Sequence, residues 1–455
     1  MPVESRTLTS DRLTEEAKEE VIDDESNHAE QYPGASKEAI HPGEAGTELP
    51  LLFALRQKIY REDILAHAYE LAKANQGAPG IDNQSFEEIE SGGRQKWLAG
   101  LREELCKGTY QPQPVRRVMI PKANGGERPL GIPTLRDRVA QTAAKLVLEP
   151  IFEADLEPNA YGYRPKRSAQ DAVREVHQLI CEGYTDVVDA DLSKYFDNIP
   201  HAELLQSVAR RIADGRVLHL LKRWLKARVE ERDEKGNRKL TGGQSKGTPQ
   251  GGVASPLLAN LYMNRFLKHW RRQGKGEQYR AHIVNYADDF VILSRGKAEE
   301  ARAWTQAVMT RLGLTLKEQK TCIRNAKQES FDFLGYTFGP RYWWETGKPY
   351  LAASPSKKAI QRLKEGVYEM LRPGENDRWE EVRDHLNAKL RGWQNYFSYG
   401  SLNKAYRIVD QYVYQCVRHF LRRRHQDTNS RGTRQFSDKV VYGERGVHRY
   451  QRASR

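Results

Sequence analysis

The chain has 455 residues, of which 38% are hydrophobic, and a mean hydropathy of −0.79; that length suits about three domains. No apolar run approaches the roughly 18 residues that span a bilayer, and the opening "MPVESRTLTSDRLTEE" carries no apolar signal region, which argues against a membrane or a secreted protein. The net charge is +13, yet the first fifty residues hold 13 Asp/Glu against 4 Lys/Arg, so the other 405 carry +22. A body that basic points to a polyanion, nucleic acid first, with a self-solubilising surface as the plainer alternative.

Residues 1–50 are acidic and poor in aromatics, with "YPGASKEAIHPGEAG" as a Pro/Gly-bearing linker, and are expected to be a disordered tail. From Leu51, "LRQKIYREDILAHAYELAKAN" has helical spacing until "GAPGID" interrupts it, and a second helix covers "RQKWLAGLREELCKG". "VRRVMI", a Gly-Gly pair and "RPLGI" predict a hairpin. "RDRVAQTAAKLVLEPIFEADL" is helical again, and "TDVVDADL" is a short strand.

A helical stretch then runs through "HAELLQSVARRIADGRVLHLLKRWLKARV", followed by a loop, "EERDEKGNRKLTGGQSKGTPQGG", and a helix, "SPLLANLYMNRFLKHW". A strand pair surrounds "NYADDFVIL", and "FDFLGYTF" alternates like a strand. The last part predicts three helices, with Leu402, Tyr406, Val409, Val413, Cys416 and Phe420 at steps of three and four as a packing seam, and with Gly400 as a helix cap. The four cysteines are scattered without zinc or disulfide spacing, which fits a reducing, cytoplasmic setting.

Period two puts Asp189 and Asp191 on one face of their strand, with Val188, Ala190 and Leu192 on the other. Asp288 and Asp289 sit between two apolar strands. If those strands neighbour each other, several carboxylates meet at one spot, which is costly without a cation. Mg²⁺ suits such a site, because it takes oxygen ligands from one or two carboxylates and from substrate phosphates. The alternative is that "ADD" merely turns a hairpin.

"YADDF", "DADLSKYFDNI" upstream of it and "GTPQGGVASPLLANLYM" between them resemble the reverse transcriptases of group II introns. "IPKANGGERPLGIPT", "DRVAQ", "LEPIFE", "YGYRP", "FDFLGYTF" and "LRGWQNYF" extend the likeness from about Leu51 to Phe436. The resemblance implies an α+β right-hand polymerase: fingers and palm over 51–345, with an antiparallel palm sheet, then an α-helical thumb/maturase region over 346–436 and a short basic tail over 437–455. It implies RNA-directed DNA polymerase activity with two Mg²⁺ ions on Asp191, Asp288, Asp289 and the backbone carbonyl of Leu192. Asp189 falls outside the family's position.

Lys122 and Arg128 match the pair that contacts the triphosphate. Phe196 matches the aromatic gate beneath the incoming sugar, or is simply a core ring. Gln250 and Gly251 match positions against the nucleotide, and Leu334 and Gly335 match the grip on the primer end. Arg391, Arg418, Arg422, Arg423 and Arg424 are candidates for nucleic-acid backbone contact, whereas Trp393, Tyr396 and Phe397 are expected to pack the thumb rather than stack on bases.

The implied partners are a group II intron RNA or another RNA template, a DNA primer or target and dNTPs, with no membrane. The family's Cys-rich endonuclease domain is expected to be missing. An RNA-binding splicing factor with vestigial polymerase activity, or a domesticated enzyme of repair or phage defence, stands beside the maturase reading.

Overall fold

The computed structural model describes residues 55–121, 126–232, 238–243, 245–249, 251–317, 321–343, 345–372, 374, 377–424 and 435–450. Lys122 and Gln250, and the acidic first fifty residues, lie outside these. The described strands are β1 (Val115–Pro121), β2 (Glu127–Ile132), β3 (Asp186–Asp191), β4 (Val229–Arg232), β5 (Arg238–Thr241), β6 (Ala281–Tyr286), β7 (Asp289–Ser294), β8 (Cys322–Asn325), β9 (Phe331–Phe333), β10 (Tyr336–Tyr342) and β11 (Pro349–Pro355). They form three sheets, ordered β2-β1-β4-β5, β6-β7-β3-β8 and β11-β10-β9. The chain divides into two compact units, one of residues 1–167, 190–290 and 297–321, the other of 168–189, 291–296 and 322–455.

In the first unit, β1 and β2 are the expected antiparallel hairpin, with Ile120 opposite Arg128. The stretch read as a loop after Val229 is a second hairpin, β4–β5, whose first strand runs parallel to β1. Its residues, "VEER" and "RKLT", are mostly charged, so no apolar alternation announces them. After the first hairpin comes the helix Leu135–Glu153, started by Thr134, whose side chain accepts from the Asp137 amide.

Asp137 is buried, and burial raises its carboxyl above the ordinary range. It accepts from Tyr110, from Thr134 Oγ1 at 2.8 Å and from the Gln113 amide at 3.1 Å, which anchors the segment leading into β1. The first predicted helix breaks at Tyr60–Arg61 into Leu55–Ile59 and Glu62–Ala74, and the stretch after His201 likewise forms two helices, His201–Ala209 and Gly215–Leu225. Asp214 caps the latter by accepting from the Arg216 amide, so the break has a local cause. "SPLLANLYMNRFLKHW" is helical over Ser255–Arg272, with a proline in its first turn.

The segment before residue 167 shapes the turn between β6 and β7. The Tyr161 amide donates to the Asn285 carbonyl at 2.8 Å, and the Asn285 amide to the Asn159 carbonyl at 3.0 Å, so 159–161 runs beside the end of β6. Gly162 then lies against the backbone of Tyr286 and Ala287, where any Cβ would collide with the Ala287 amide nitrogen. Arg164 is sealed below it, bonded to Glu153 and to the carbonyls of Glu157 and Ala160.

In the second unit, "FDFLGYTF" is a hairpin rather than one strand: β9 and β10 pair antiparallel, with Phe333 opposite Tyr336. Leu334 and Gly335 form its two-residue turn at φ 49° and 79°. A helix absent from the sequence reading, Ala169–Cys181, starts on a Ser168–Asp171 capping box and packs on β11. The three expected helices are Lys357–Met370, Trp379–Tyr396 and Asn403–Arg424. Leu363, Val367, Leu386, Leu390, Val409, Val413, Val417 and Phe420 form their core. Cys416, placed in the seam, is only partly buried, and Val417 takes the inner position.

Two further expectations change. The helix before Gly400 ends at Tyr396, and Gly400 instead, at φ 85°, allows close approach to the Ala353 carbonyl. Residues after 436, read as a basic tail, belong to the bundle as far as Tyr450: Val441, Val447 and Tyr450 are in the core. Asn387 Nδ2 donates to the Gly446 carbonyl at 2.8 Å, and Asp410 Oδ1 accepts from the Tyr450 amide at 3.1 Å. Among the described residues no helix is long and apolar enough to cross a membrane.

This packing generates three predictions. Gly162→Ala overpacks the Ala287 turn and lowers unfolding free energy in urea by about 1–3 kcal/mol. Gly215→Ala, where nothing lies within 4 Å of the added carbon, leaves stability unchanged or raises it. Burial pushes the Asp410 carboxyl up to about 6, despite the opposing Tyr450 amide and Arg449. A raised folded-state pKa means that its contribution is complete below about pH 4 and is lost as pH rises through 6. Thermal melts from pH 4 to 7 will show the wild type losing stability relative to Asp410→Asn, which retains the amide acceptor; parallel curves would refute this.

Candidate active site

β3 and β7 are neighbours, so the strand adjacency on which the carboxylate site depends is present. Asp191 is the last residue of β3. Val188, Ala190 and Leu192 are buried, as the period-two reading requires, and Asp189 shares the more accessible face with Asp191. Asp289 opens β7 and is exposed, while Asp288 is half-buried in the turn. The turn therefore consists of Ala287 and Asp288, with Ala287 left-handed at φ 59°.

The first carboxylate has a cationic neighbour that sequence reading missed. Lys317 Nζ donates to Asp191 Oδ1 at 2.9 Å, and the Lys317 amide to the Asp191 carbonyl, also at 2.9 Å. A bridge between Leu192 and Leu316, and the Ser193 amide on the Thr315 carbonyl at 2.8 Å, lay this segment along the end of β3. Leu192 itself is buried. Among the described residues no group of three or more His, Cys, Asp or Glu is arranged to hold a metal ion. The expected donors are nonetheless all oxygens, three carboxylates and the Leu192 carbonyl, carried on or next to the neighbouring strands β3 and β7. That set suits Mg²⁺, which needs one or two carboxylates when phosphates complete its shell.

Near the carboxylates, besides Lys317, are two rings and a second cation, Arg128. Phe196 is 7% exposed and its carbonyl accepts from the Thr248 amide at 2.7 Å. Tyr163, from "YGYRP", is 45% exposed and meets Phe196 edge-on, with centroids 6.4 Å apart. Burial raises the Tyr163 phenol, the charge of Asp288 raises it further, and Arg128 acts the other way. The charges of Arg128 and the Asp pair thus all reach Tyr163, a residue singled out by no periodicity or charge pattern.

Gly251, at φ 103°, lies against the Gly131 carbonyl of β2, so its loop touches the first hairpin as a glycine permits. A cleft of about 490 Å³ opens beside these elements, lined in part by Arg117, Lys194, Lys246 and Thr248.

The other expected residues lie in the second unit. The Leu334 carbonyl accepts from Tyr396 Oη at 2.9 Å and the Gly335 carbonyl from the Ser356 amide at 2.9 Å, so the thumb helix and the Leu334–Gly335 turn are locked together. Trp393 and Phe397 pack on each other and into the bundle, as expected. The arginines differ among themselves. Arg391, Arg423 and Arg424 are all exposed, but Arg423 Nη2 donates to the Leu371 carbonyl at 2.7 Å and Arg424 donates to the Asp377 carbonyl. Arg418 lies over the Tyr414 ring and is half-buried, as is Arg422.

Known proteins place this geometry. Residues 120–338 match the family model described as reverse transcriptase (RNA-dependent DNA polymerase), and residues 360–436 match the group II intron, maturase-specific domain. The chain is 37% identical over 319 residues to Protein YkfC of Escherichia coli (strain K12), covering 62% of this chain and 82% of that protein. It is 28% identical over 347 residues to the group II intron-encoded protein LtrA of Lactococcus lactis subsp. cremoris, covering 62% of this chain and 56% of LtrA. An α+β fold with neighbouring carboxylate strands, followed by a helical bundle, agrees with both matches in order and extent: the chain belongs to the reverse transcriptases that carry a group II intron maturase domain.

Proposed function

We propose that this chain copies RNA into DNA and acts as a maturase for a group II intron RNA, in the cytoplasm. The observation that supports the polymerase reading is that β3, which ends at Asp191, neighbours β7, which opens at Asp289, in a chain of this family. The primer 3′-hydroxyl oxygen forms a bond to the α-phosphorus of a dNTP, and the bond to the β-phosphate breaks to release pyrophosphate. Asp191, Asp288, Asp289 and the Leu192 carbonyl hold two Mg²⁺ ions. Bound there, the ions neutralise the carboxylates and the developing phosphate charge.

Arg128 and Lys122 hold the triphosphate as paired cations. Phe196, Gln250 and Gly251 line the nucleotide pocket, and the turn at Leu334 and Gly335 supports the primer end. The Arg117–Lys194–Lys246 cleft takes template backbone by charge. Intron RNA is held on the helical unit, with exposed Arg391 the freest of the five arginines to reach phosphate; Arg423 and Arg424 hold carbonyls of their own bundle. The four cysteines are free thiols, which supports the reducing setting.

Primer extension on an RNA template tests the reading. Wild-type protein with Mg²⁺ and dNTPs lengthens a DNA primer, and Asp288→Ala with Asp289→Ala abolishes extension without changing the melting temperature. Equal extension by both proteins would overturn it.

A further inference from the structure

Tyr163 sits where the fold gains little from a large side chain. Its φ is 56°, a left-handed conformation that is unfavourable for anything but glycine and, to a lesser degree, Asn or Asp. Its ring is nearly half exposed, so burial does not offset that strain. Strained non-glycine backbone that the surroundings enforce is a pointer to function rather than to folding.

Here the enforcement is visible. Gly162 is pressed on the Ala287 amide, and Asn260 Nδ2 donates to the Gly162 carbonyl, fixing the backbone one residue before Tyr163. The ring is close enough to Asp288 and Arg128 for the charges of both to act on its phenol. Behind it, Phe196 stands at 78° to it and is itself packed edge-on against buried Tyr195, with centroids 5.6 Å apart. Of the two rings beside the carboxylates, only Tyr163 offers substantial area to a ligand.

We propose that Tyr163 forms the outer wall of the nucleotide pocket, its ring packing on the sugar and base of the incoming dNTP while Phe196 holds its tilt. The proposal rests on the polymerase reading above. A ligand with its phosphates toward Arg128 and its reacting phosphorus at the Asp pair carries a sugar and a base next in line. A flat apolar face is the complement of those groups. The ring, not the hydroxyl, is the working part, since the phenol lies beside negative charge.

Single-nucleotide incorporation with Tyr163→Phe, Tyr163→Ala and Tyr163→Gly tests this. Phe behaves like the wild type. Ala and Gly raise the KM for dNTP by roughly tenfold, the loss of one ring contact, with little change in kcat and none in Kd for primer–template. Tyr163→Gly also melts at or above the wild-type temperature, because the left-handed strain is relieved. That combination of higher KM with undiminished stability is something a merely structural tyrosine cannot give.

An unchanged KM in Ala and Gly overturns the proposal. So does a loss confined to primer–template affinity, or a Phe variant as impaired as Ala. If the wild type itself adds no nucleotide, the polymerase reading falls first; if it does and the variants match it, only the role of Tyr163 falls.

Discussion

The candidate active site depends on one backbone contact, Gly162 against the Ala287 amide. The Asp288–Asp289 pair straddles the end of a short turn and the start of β7, and neighbouring carboxylates tend to push such a turn apart. The chain opposes this with backbone rather than with charge. Residues 159–161 are bonded along the end of β6, and the Asn285 side chain donates to the Ala287 carbonyl at 2.9 Å, so the turn is held from both sides. Apolar Phe290, Val291, Ile292 and Leu293, all buried, fix the strand that leaves it. The carboxylates are thereby aimed by packing that a bound cation does not have to supply.

Three of the eight described non-glycine residues with positive φ lie at or beside the same place. Tyr163, Lys194 and Ala287 are all non-glycine residues in left-handed conformations. One lies over the Asp turn, one directly precedes the Phe196 helix and one is within the turn itself. Each conformation costs of order 1–3 kcal/mol and persists only where surrounding contacts over-determine it. Lys317 provides the electrostatic counterpart at Asp191, a cation carried in by a segment laid along β3. Together these features describe carboxylates held in place, with charge balanced locally at one of them.

Much of this was legible in the sequence because it is written in pattern. The alternation of "TDVVDADL" gave the faces of Val188, Ala190, Asp189 and Asp191, though Val187 on the Asp face is buried too, and the apolar frame of "NYADDFVIL" gave β6 and β7. The helical periodicity of the last part gave the bundle and most of its core. Where the sequence reading failed, the physical reason is local. The β4–β5 hairpin is too charged to alternate, and the "FLGYTF" turn hides in a run that alternates like one strand because its first residue, Leu334, adopts a conformation that leucine seldom takes. Tyr163 and Lys317 were invisible as site residues because their roles come from backbone bridges across the chain, Ala160 to Asn285 and Leu192 to Leu316. No spacing rule reports such contacts. The segment after 436 looked like a tail because its few buried residues, Val441, Val447 and Tyr450, are separated by charge.

The central claim is that the ends of β3 and β7 make one cation site that is completed by substrate phosphates. Counting bound Mn²⁺ by electron paramagnetic resonance tests it directly, using protein with and without primer–template, a 3′-deoxy-terminated primer and dNTP. Tight binding of two ions is expected only with the full set of ligands, and its loss is expected in Asp191→Asn and in Asp288→Asn. Equal Mn²⁺ binding by wild type and both variants would contradict the account.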